Sequence, residues 1–394
     1  MDYIKITLKP GKEDSFHRFH PWVFSGAIYR FEKQPEEGDI VEVTDHQGNF
    51  IGIGQYQIGS IAVRILTFKQ EEINEQFYFK RLQEAYNVRL SLGLLNGEYN
   101  NTCRLVHGEG DNLPGLIIDL YNKTAVMQAH TPGMHYARHQ IAQALKSVLG
   151  NAIDNIYYKS ETTLPYKAEL DAENEYLLGG DAPNIATENR LKFYVDWVRG
   201  QKTGFFVDQR ENRALLERYA HGRSVLNMFC YTGGFSFYAM RGNAKLVHSV
   251  DSSSKAIDLT CKNVELNFPG DNRHQAFAED AFKFLDTMGD QYDLIILDPP
   301  AFAKHKKVLN NALQGYRKLN AKAFEKIRPG GILFTFSCSQ VVSKENFRLA
   351  VFSAAAQSGR NVRILHQLTQ PADHPVNIYH PEGEYLKGLV LYVE

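Results

Sequence analysis

YDLIILDPPAFAKHKK, residues Tyr292–Lys307, sets an apolar run against an acid, two prolines, an aromatic ring and a basic cluster. Leu294–Leu297 is continuous rather than alternating, as expected of a strand covered on both faces. Asp298 closes that strand. Pro299 and Pro300 cannot donate a backbone hydrogen bond and have a fixed φ. They stiffen the loop and would hold Phe302 beside a flat ligand.

The surrounding chain says what kind of sheet receives this strand. From about residue 190 onward, RSVLNMF, AKLVHSVD, RHQAFAED, YDLIILD and GGILFTFS read as strands. FSFYAMRG, SKAIDLTCKNVELN, DAFKFLDTM and QGYRKLNAKAFEKI read as the helices between them. Such alternation predicts an α/β fold with a doubly wound, Rossmann-like parallel sheet. Ligands of these sheets sit outside the carboxyl ends of the strands, where strand order reverses.

Those strand ends carry the chemistry. VLNMFCYTGGFSFYA is strand, tight glycine turn, helix, and Gly233 and Gly234 allow close backbone approach to a ligand. A Gly-Gly pair alone is most often only a turn. Asp251 ends the next strand, where a carboxylate can accept both ribose hydroxyls, and Asp280 ends the third, where an adenine amino group would lie. The turn is C-Y-T-G-G-F and not the G-x-G-x-x-G of a dinucleotide site. A sulfonium cofactor with an amino-acid tail fits it better than NAD does. Cys338 ends the strand after Asp298. A free cysteine is usually a small buried hydrophobe, but this one shares a sheet edge with an acid and an adenosine site. A thiolate adding to C6 of cytosine makes C5 nucleophilic toward a methyl sulfonium, and a carboxylate at N3 and the amino group stabilises the adduct. Cys338 is the expected nucleophile and Asp298 the expected carboxylate. Cys230 and Cys261 read as packing residues, and Cys103 has no assigned role.

Composition sets bounds. The chain has 394 residues, 43% hydrophobic and 23% charged, with a net charge of −1. A basic whole-protein footprint for nucleic acid is therefore absent, and any such role needs a local patch. Residues 301–330 offer one: Lys304, Lys306, Lys307, Arg317, Lys318, Lys322, Lys326 and Arg328 against Glu325 alone. That composition suits phosphate contacts, although it equally suits a solvated helix face. The four cysteines form no C-x-x-C pair, so no metal is expected. The polar N-terminus and the absence of an apolar run of roughly 18 residues indicate neither a signal peptide nor a membrane helix. A cytoplasmic protein is expected.

The preceding chain has two further regions. Residues 1–70 contain short strands punctuated by glycine (IKITL, GDIVEVTDHQGNFIGIGQYQ, SIAVRILTF), which suggests a small β-barrel, with RFHPWVFSGAI as an irregular stretch between them. Residues 71–188 read as α+β, opening with a helix over about 72–98 whose apolar face is Ile73, Phe77, Leu82, Ala85 and Val88. MHYARHQIAQALKSVLG is a second helix. Residues 189–394 form the α/β domain.

Taken together these motifs resemble the bacterial 23S ribosomal RNA cytosine-C5 methyltransferases of the large subunit. The resemblance spans nearly the whole chain: RFHPWVFSGAI, CRLVHGEGDNLPGLIIDLY, QKTGFFVDQRENR, NMFCYTGGFS, SVDSS, AEDAF, LDPPAF, TFSCS and DHPVNIYHPEGEYLKG. It implies an N-terminal PUA domain that binds RNA, a central α+β domain and a class I methyltransferase domain using S-adenosyl-L-methionine. By position it implies that Phe229, Tyr231, Thr232 and Gly233 contact the methionine part, that Asp251 holds the ribose and Asp280 the adenine, and that Phe205, Gln209 and Pro299 flank the cofactor. Lys304, Lys306, Lys307, Phe302 and Arg317 would face RNA. The implied partner is 23S rRNA of the large subunit or of an assembly intermediate, with a homodimer left open and no membrane. Ala301 stands where the family usually has lysine. Two other readings compete: methylation of a base nitrogen, which needs no cysteine, and a non-enzymatic RNA-binding assembly factor.

Overall fold

The run Leu294–Leu297 is fully buried at the centre of a seven-stranded sheet in the computed structural model, which describes residues 3–165, 170, 173–180, 182–303 and 305–394. The strands are β1 (Ser224–Met228), β2 (Leu246–Asp251), β3 (His274–Ala278), β4 (Leu294–Leu297), β5 (Gly331–Ser337), β6 (Val362–Thr369) and β7 (Lys387–Val393). Their spatial order is β3-β2-β1-β4-β5-β7-β6. Strands β1 to β5 pair in parallel, and order reverses between β1 and β4. The sequence reading of an all-parallel sheet needs correction at one edge: β7 runs antiparallel to both β5 and β6.

Helices Gly234–Arg241, Ser254–Asn267, Ala281–Thr287 and Leu309–Lys326 make the crossovers, as the alternation predicts. Their apolar faces close over the sheet. Leu226, Ile295, Leu297, Tyr316, Phe324, Leu333 and Leu391 share one core, and burying each such side chain stabilises the fold by about 1.5–3 kcal/mol.

The chain divides into two compact units. The second comprises Leu191–Tyr194, Asp208–Pro371 and Glu384–Glu394 and holds this sheet. The first runs to Arg190 and also takes in Val195–Val207 and Ala372–Gly383, two stretches drawn from the α/β region of the sequence.

Within the first unit, six short strands make a curled sheet around Ile6, Leu8, Val41, Val43 and Val63. RFHPWVFSGAI is more regular than its sequence suggests. Trp22–Phe24 pairs at the sheet edge, and Ser25–Ala27 is a single 3-10 turn. Three residues are too few to show alternation. A second sheet has five strands among the described residues, covered by helices Glu75–Ser91 and Arg138–Leu149. Asn74 caps the first of these helices, which is shorter than expected. It buries Phe77, Leu82 and Ala85 but leaves Val88 exposed and buries Arg89 instead. The second expected helix begins as a separate turn, Pro132–Tyr136.

Candidate active site

The carboxyl ends of β3, β2, β1, β4 and β5 bring Asp280, Asp251, the loop after Met228, Asp298 and Cys338 to one edge of the sheet. Topology alone thus gathers residues more than a hundred positions apart, at the place where open α/β sheets bind ligands.

The loop after β1 is wound tightly. Phe229, Tyr231 and Gly233 all have positive φ, at 58°, 48° and 83°. Two non-glycine residues held there store strain that surrounding bonds must offset. The Tyr231 amide donates to Asp251 Oδ2 at 3.0 Å, and its carbonyl accepts from Thr260 Oγ1 at 2.9 Å. Thr232 is buried, and its carbonyl accepts from Asn263 Nδ2 at 3.0 Å. At Gly233 a Cβ would lie 2.6 Å from Thr260 Cγ2 and 2.9 Å from the Phe237 ring, so glycine is required by space as well as by φ.

Asp251 is half-buried, and its other oxygen accepts from the Ser253 amide at 2.9 Å. Both of these donors are neutral backbone groups, and a carboxylate so held can still accept from hydroxyl donors. Asp280 is exposed and caps helix Ala281–Thr287 through the Lys283 amide at 3.0 Å. Gln209 is buried and donates from Nε2 to Asp298 Oδ2 at 3.1 Å, while its Oε1 accepts from Asn212 at 2.6 Å. It therefore orients the acid. Phe205 belongs to the first unit, where it is buried and its carbonyl accepts from the Tyr121 hydroxyl at 3.3 Å.

Asp298 and Cys338 are both half-buried at the ends of neighbouring strands, Leu297 being level with Thr335. The two loops are stitched together: Ser339 Oγ donates to the Ala303 carbonyl at 2.6 Å. Behind them Tyr316 is fully buried and accepts from Ser337 Oγ at 2.9 Å. Burial pushes its phenol up to about 12, and the charges of Cys338 and Asp298 add to the same shift, so both groups lie within electrostatic reach of one ring.

Pro299 is buried and Pro300 exposed. The Phe302 ring does not stand free beside the strand ends as expected. It packs on Tyr316, with centroids 4.6 Å apart, and against Gly315. The basic patch is also smaller than its sequence suggests. Lys306 and Lys307 are exposed on a 3-10 turn, but Lys322 pairs with Asp286 and Arg328 donates to the Asp290 carbonyl. Arg317 is half-buried, and Lys304 lies outside the described residues. Helix Ala281–Thr287 packs beside the basic helix and supplies the acid that residues 301–330 lack.

Cys230 is buried in the cofactor-loop wall, and burial raises its thiol far above the ordinary value, so packing is its role. Cys103 is fully buried in the first unit. Cys261 departs from expectation, because it is exposed on its helix, although partial burial still raises its thiol.

Sequence reasoning missed Lys387. It opens β7, is 6% exposed, and donates to the carbonyls of Ser339 and Val342 at 2.6 Å each. Its signal was a lysine inside the apolar run YLKGLVLYV.

A glycine cradle that admits no Cβ, a ribose-height carboxylate on the next strand and a stiffened Asp-Pro-Pro loop define the class I S-adenosylmethionine-dependent methyltransferases. The comparisons agree. A family model described as S-adenosylmethionine-dependent methyltransferase matches residues 158–381, and one for a PUA-like domain matches residues 6–68. The chain belongs to the S-adenosylmethionine-dependent methyltransferase family, and S-adenosylmethionine is its cofactor. Within that family it is 41% identical to ribosomal RNA large subunit methyltransferase I of Tolumonas auensis over 98% of each chain. It is 37% identical to the protein of the same name from Yersinia pestis over 99% of each. A Streptococcus mutans structure classed as a SAM-dependent methyltransferase superposes with a TM-score of 0.84 at 23% identity, covering 99% of this chain and 100% of its own. That likeness shows the fold. Among the described residues no helix is long and apolar enough to cross a membrane.

Proposed function

We propose that this protein methylates a cytosine of 23S ribosomal RNA at C5, through a covalent bond between Cys338 and C6 of the base. The observation that carries the reading is the pairing of Cys338 with Asp298 on adjacent strand ends, with their loops joined by Ser339. Two relatives named ribosomal RNA large subunit methyltransferase I, similar over nearly the whole chain, support the substrate class. The division of labour follows the sequence: residues 1–70 bind RNA, residues 71–188 form the central domain, and residues 189–394 carry out methyl transfer in the cytoplasm.

The residues present suit the cofactor. Phe229, Tyr231, Thr232 and Gly233 would line its amino-acid end, Asp251 its ribose and Asp280 its adenine, with Pro299 at the loop edge. When bound, S-adenosylmethionine supplies an electrophilic methyl group. Cys338, as the thiolate, adds to C6 of the cytosine and pushes electron density to C5. Asp298, held by Gln209, accepts from the exocyclic amine and from N3 once the ring is protonated there in the adduct, and so stabilises the charge that develops on the ring. Loss of the C5 proton then expels the thiolate and restores the aromatic ring. Lys306, Lys307 and Arg317 would meet phosphate, with Lys304 outside the described residues and Phe302 presenting only its unpacked edge.

RNA carrying 5-fluorocytosine has no C5 proton to lose, so the wild-type protein should remain covalently attached to it. Cys338→Ser should form no adduct and should methylate at least a thousandfold more slowly. Methylation that persists in Cys338→Ala would instead indicate a nitrogen acceptor. Mass mapping of ribosomal RNA from cells lacking the protein should find one cytosine without its methyl group.

A further inference from the structure

Lys387 occupies an unusual place for a lysine. Its backbone pairs with Ser337, the last residue of β5, and its side chain reaches forward beneath the following turn. There Nζ donates to Ser339 O and Val342 O. Cys338 lies between the residue that pairs with Lys387 and the residue whose carbonyl it holds. Both hydrogen-bond partners are neutral, and no carboxylate pairs with the ammonium among the described residues. A buried cation whose hydrogen bonds all go to neutral carbonyls is costly, and here that cost falls directly at the thiol-bearing turn.

We propose that Lys387 is a positioning residue for Cys338: its ammonium pins the 338–342 turn and holds the sulfur as a thiolate. This deepens the cytosine-C5 reading, on which it rests. Independent support comes from the charges that act on Lys387. Burial lowers it to about 8, and a negative charge on Cys338 works against that lowering. The interaction is reciprocal, so the ammonium favours the thiolate equally. The other charged groups near Lys387 are Lys344 and Glu384, an exposed pair 2.8 Å apart whose effects oppose one another. On the cysteine side stand Asp298 and Tyr316; burial raises the Tyr316 phenol, and negative charge on Cys338 or Asp298 raises it further. Lys387 is therefore a cation held directly beneath the turn that carries Cys338.

The test is the pH dependence of Cys338 alkylation by iodoacetamide in the full chain without RNA, read by peptide mass spectrometry. The thiolate attacks the carbon bearing iodine, a C–S bond forms and iodide leaves. Exposed Cys261 serves as the reference thiol in the same molecule. In the wild type Cys338 should titrate below the ordinary thiol range and below Cys261. Lys387→Gln keeps amide donors for the two carbonyls and removes the charge. It should slow Cys338 alkylation about tenfold relative to Cys261 at neutral pH, with cofactor affinity by calorimetry unchanged. Lys387→Arg should restore much of the reactivity. A Gln variant whose profile superimposes on the wild type overturns the proposal. So does a wild-type Cys338 that titrates at or above the ordinary thiol range, a result that needs no variant to fold. Absence of a 5-fluorocytosine adduct in a wild type whose alkylation behaves as expected would sink the cytosine reading and leave Lys387 in place.

Discussion

In the first unit Arg89 is fully buried, and carboxylate and carbonyl oxygens surround its guanidinium. Asp111 takes it with both oxygens, one at 2.8 Å, and the carbonyls of Arg104 and Asp373 accept at 2.7 Å each. Arg104 grips Asp119 at 2.7 and 2.8 Å, and Thr203 donates to the same acid at 2.6 Å. In the second unit Lys387 is just as hidden but ends on two carbonyls. Among the described residues Asp251 is held by the amide N–H groups of Tyr231 and Ser253. Arg89 and Arg104 are closed into charge pairs, whereas Lys387 and Asp251 are held by neutral partners. A closed pair does structural work and has little left for a ligand, while a charge held by dipoles keeps most of its field for whatever binds next.

The contrast can be broken most directly at Asp111. Asp111→Ala strands Arg89 in the interior and should cost about 3–5 kcal/mol in urea unfolding. The ratio of Cys338 to Cys261 alkylation should not change. A cost below about 1 kcal/mol would mean the pair is not the keystone described here. Asp251→Ala should do the reverse. Affinity for S-adenosylmethionine in calorimetry should fall about 10- to 100-fold, the worth of hydrogen bonds to a charged group, with little change in unfolding. A large loss of stability with intact affinity would place Asp251 among the structural acids.

The smallest effect concerns histidine. His274 accepts or donates at 2.8 Å to Ser249, and burial lowers it to about 4. His248 is lowered by burial as well. A histidine whose folded pKa lies below its unfolded value takes up its proton first in the unfolded chain. Stability is therefore fully present above pH 6.5 and declines as pH falls from there toward 4. The melting temperature at pH 5 should lie below that at pH 7.5, and His274→Gln should narrow the gap. An unchanged gap would show that His274 does not resist protonation.

Much of the placement of residues at the strand ends was legible because its grammar is local. Asp298-Pro299-Pro300, the Gly233 turn and the strand-end acids each announce themselves within a few residues, and the parallel sheet brings strand ends together by rule. The misreadings share one cause. Lys322 looked free until a neighbouring helix supplied Asp286. Phe302 looked available until Tyr316 covered a face of its ring. CRLVHGEGDNLPGL stood out as a signature, and the structure gives it a physical reason: Arg104 and Asp111 belong to the buried charge network.

The sequence by itself determined the alternation of strand and helix, the cofactor loop and the residue types at the strand ends, because each depends on neighbours along the chain. Only the tertiary structure decided which charges are spent. A side chain's electrostatic surroundings come from segments far away in sequence, as when β7 returns antiparallel and sets Lys387 beneath the turn that carries Cys338.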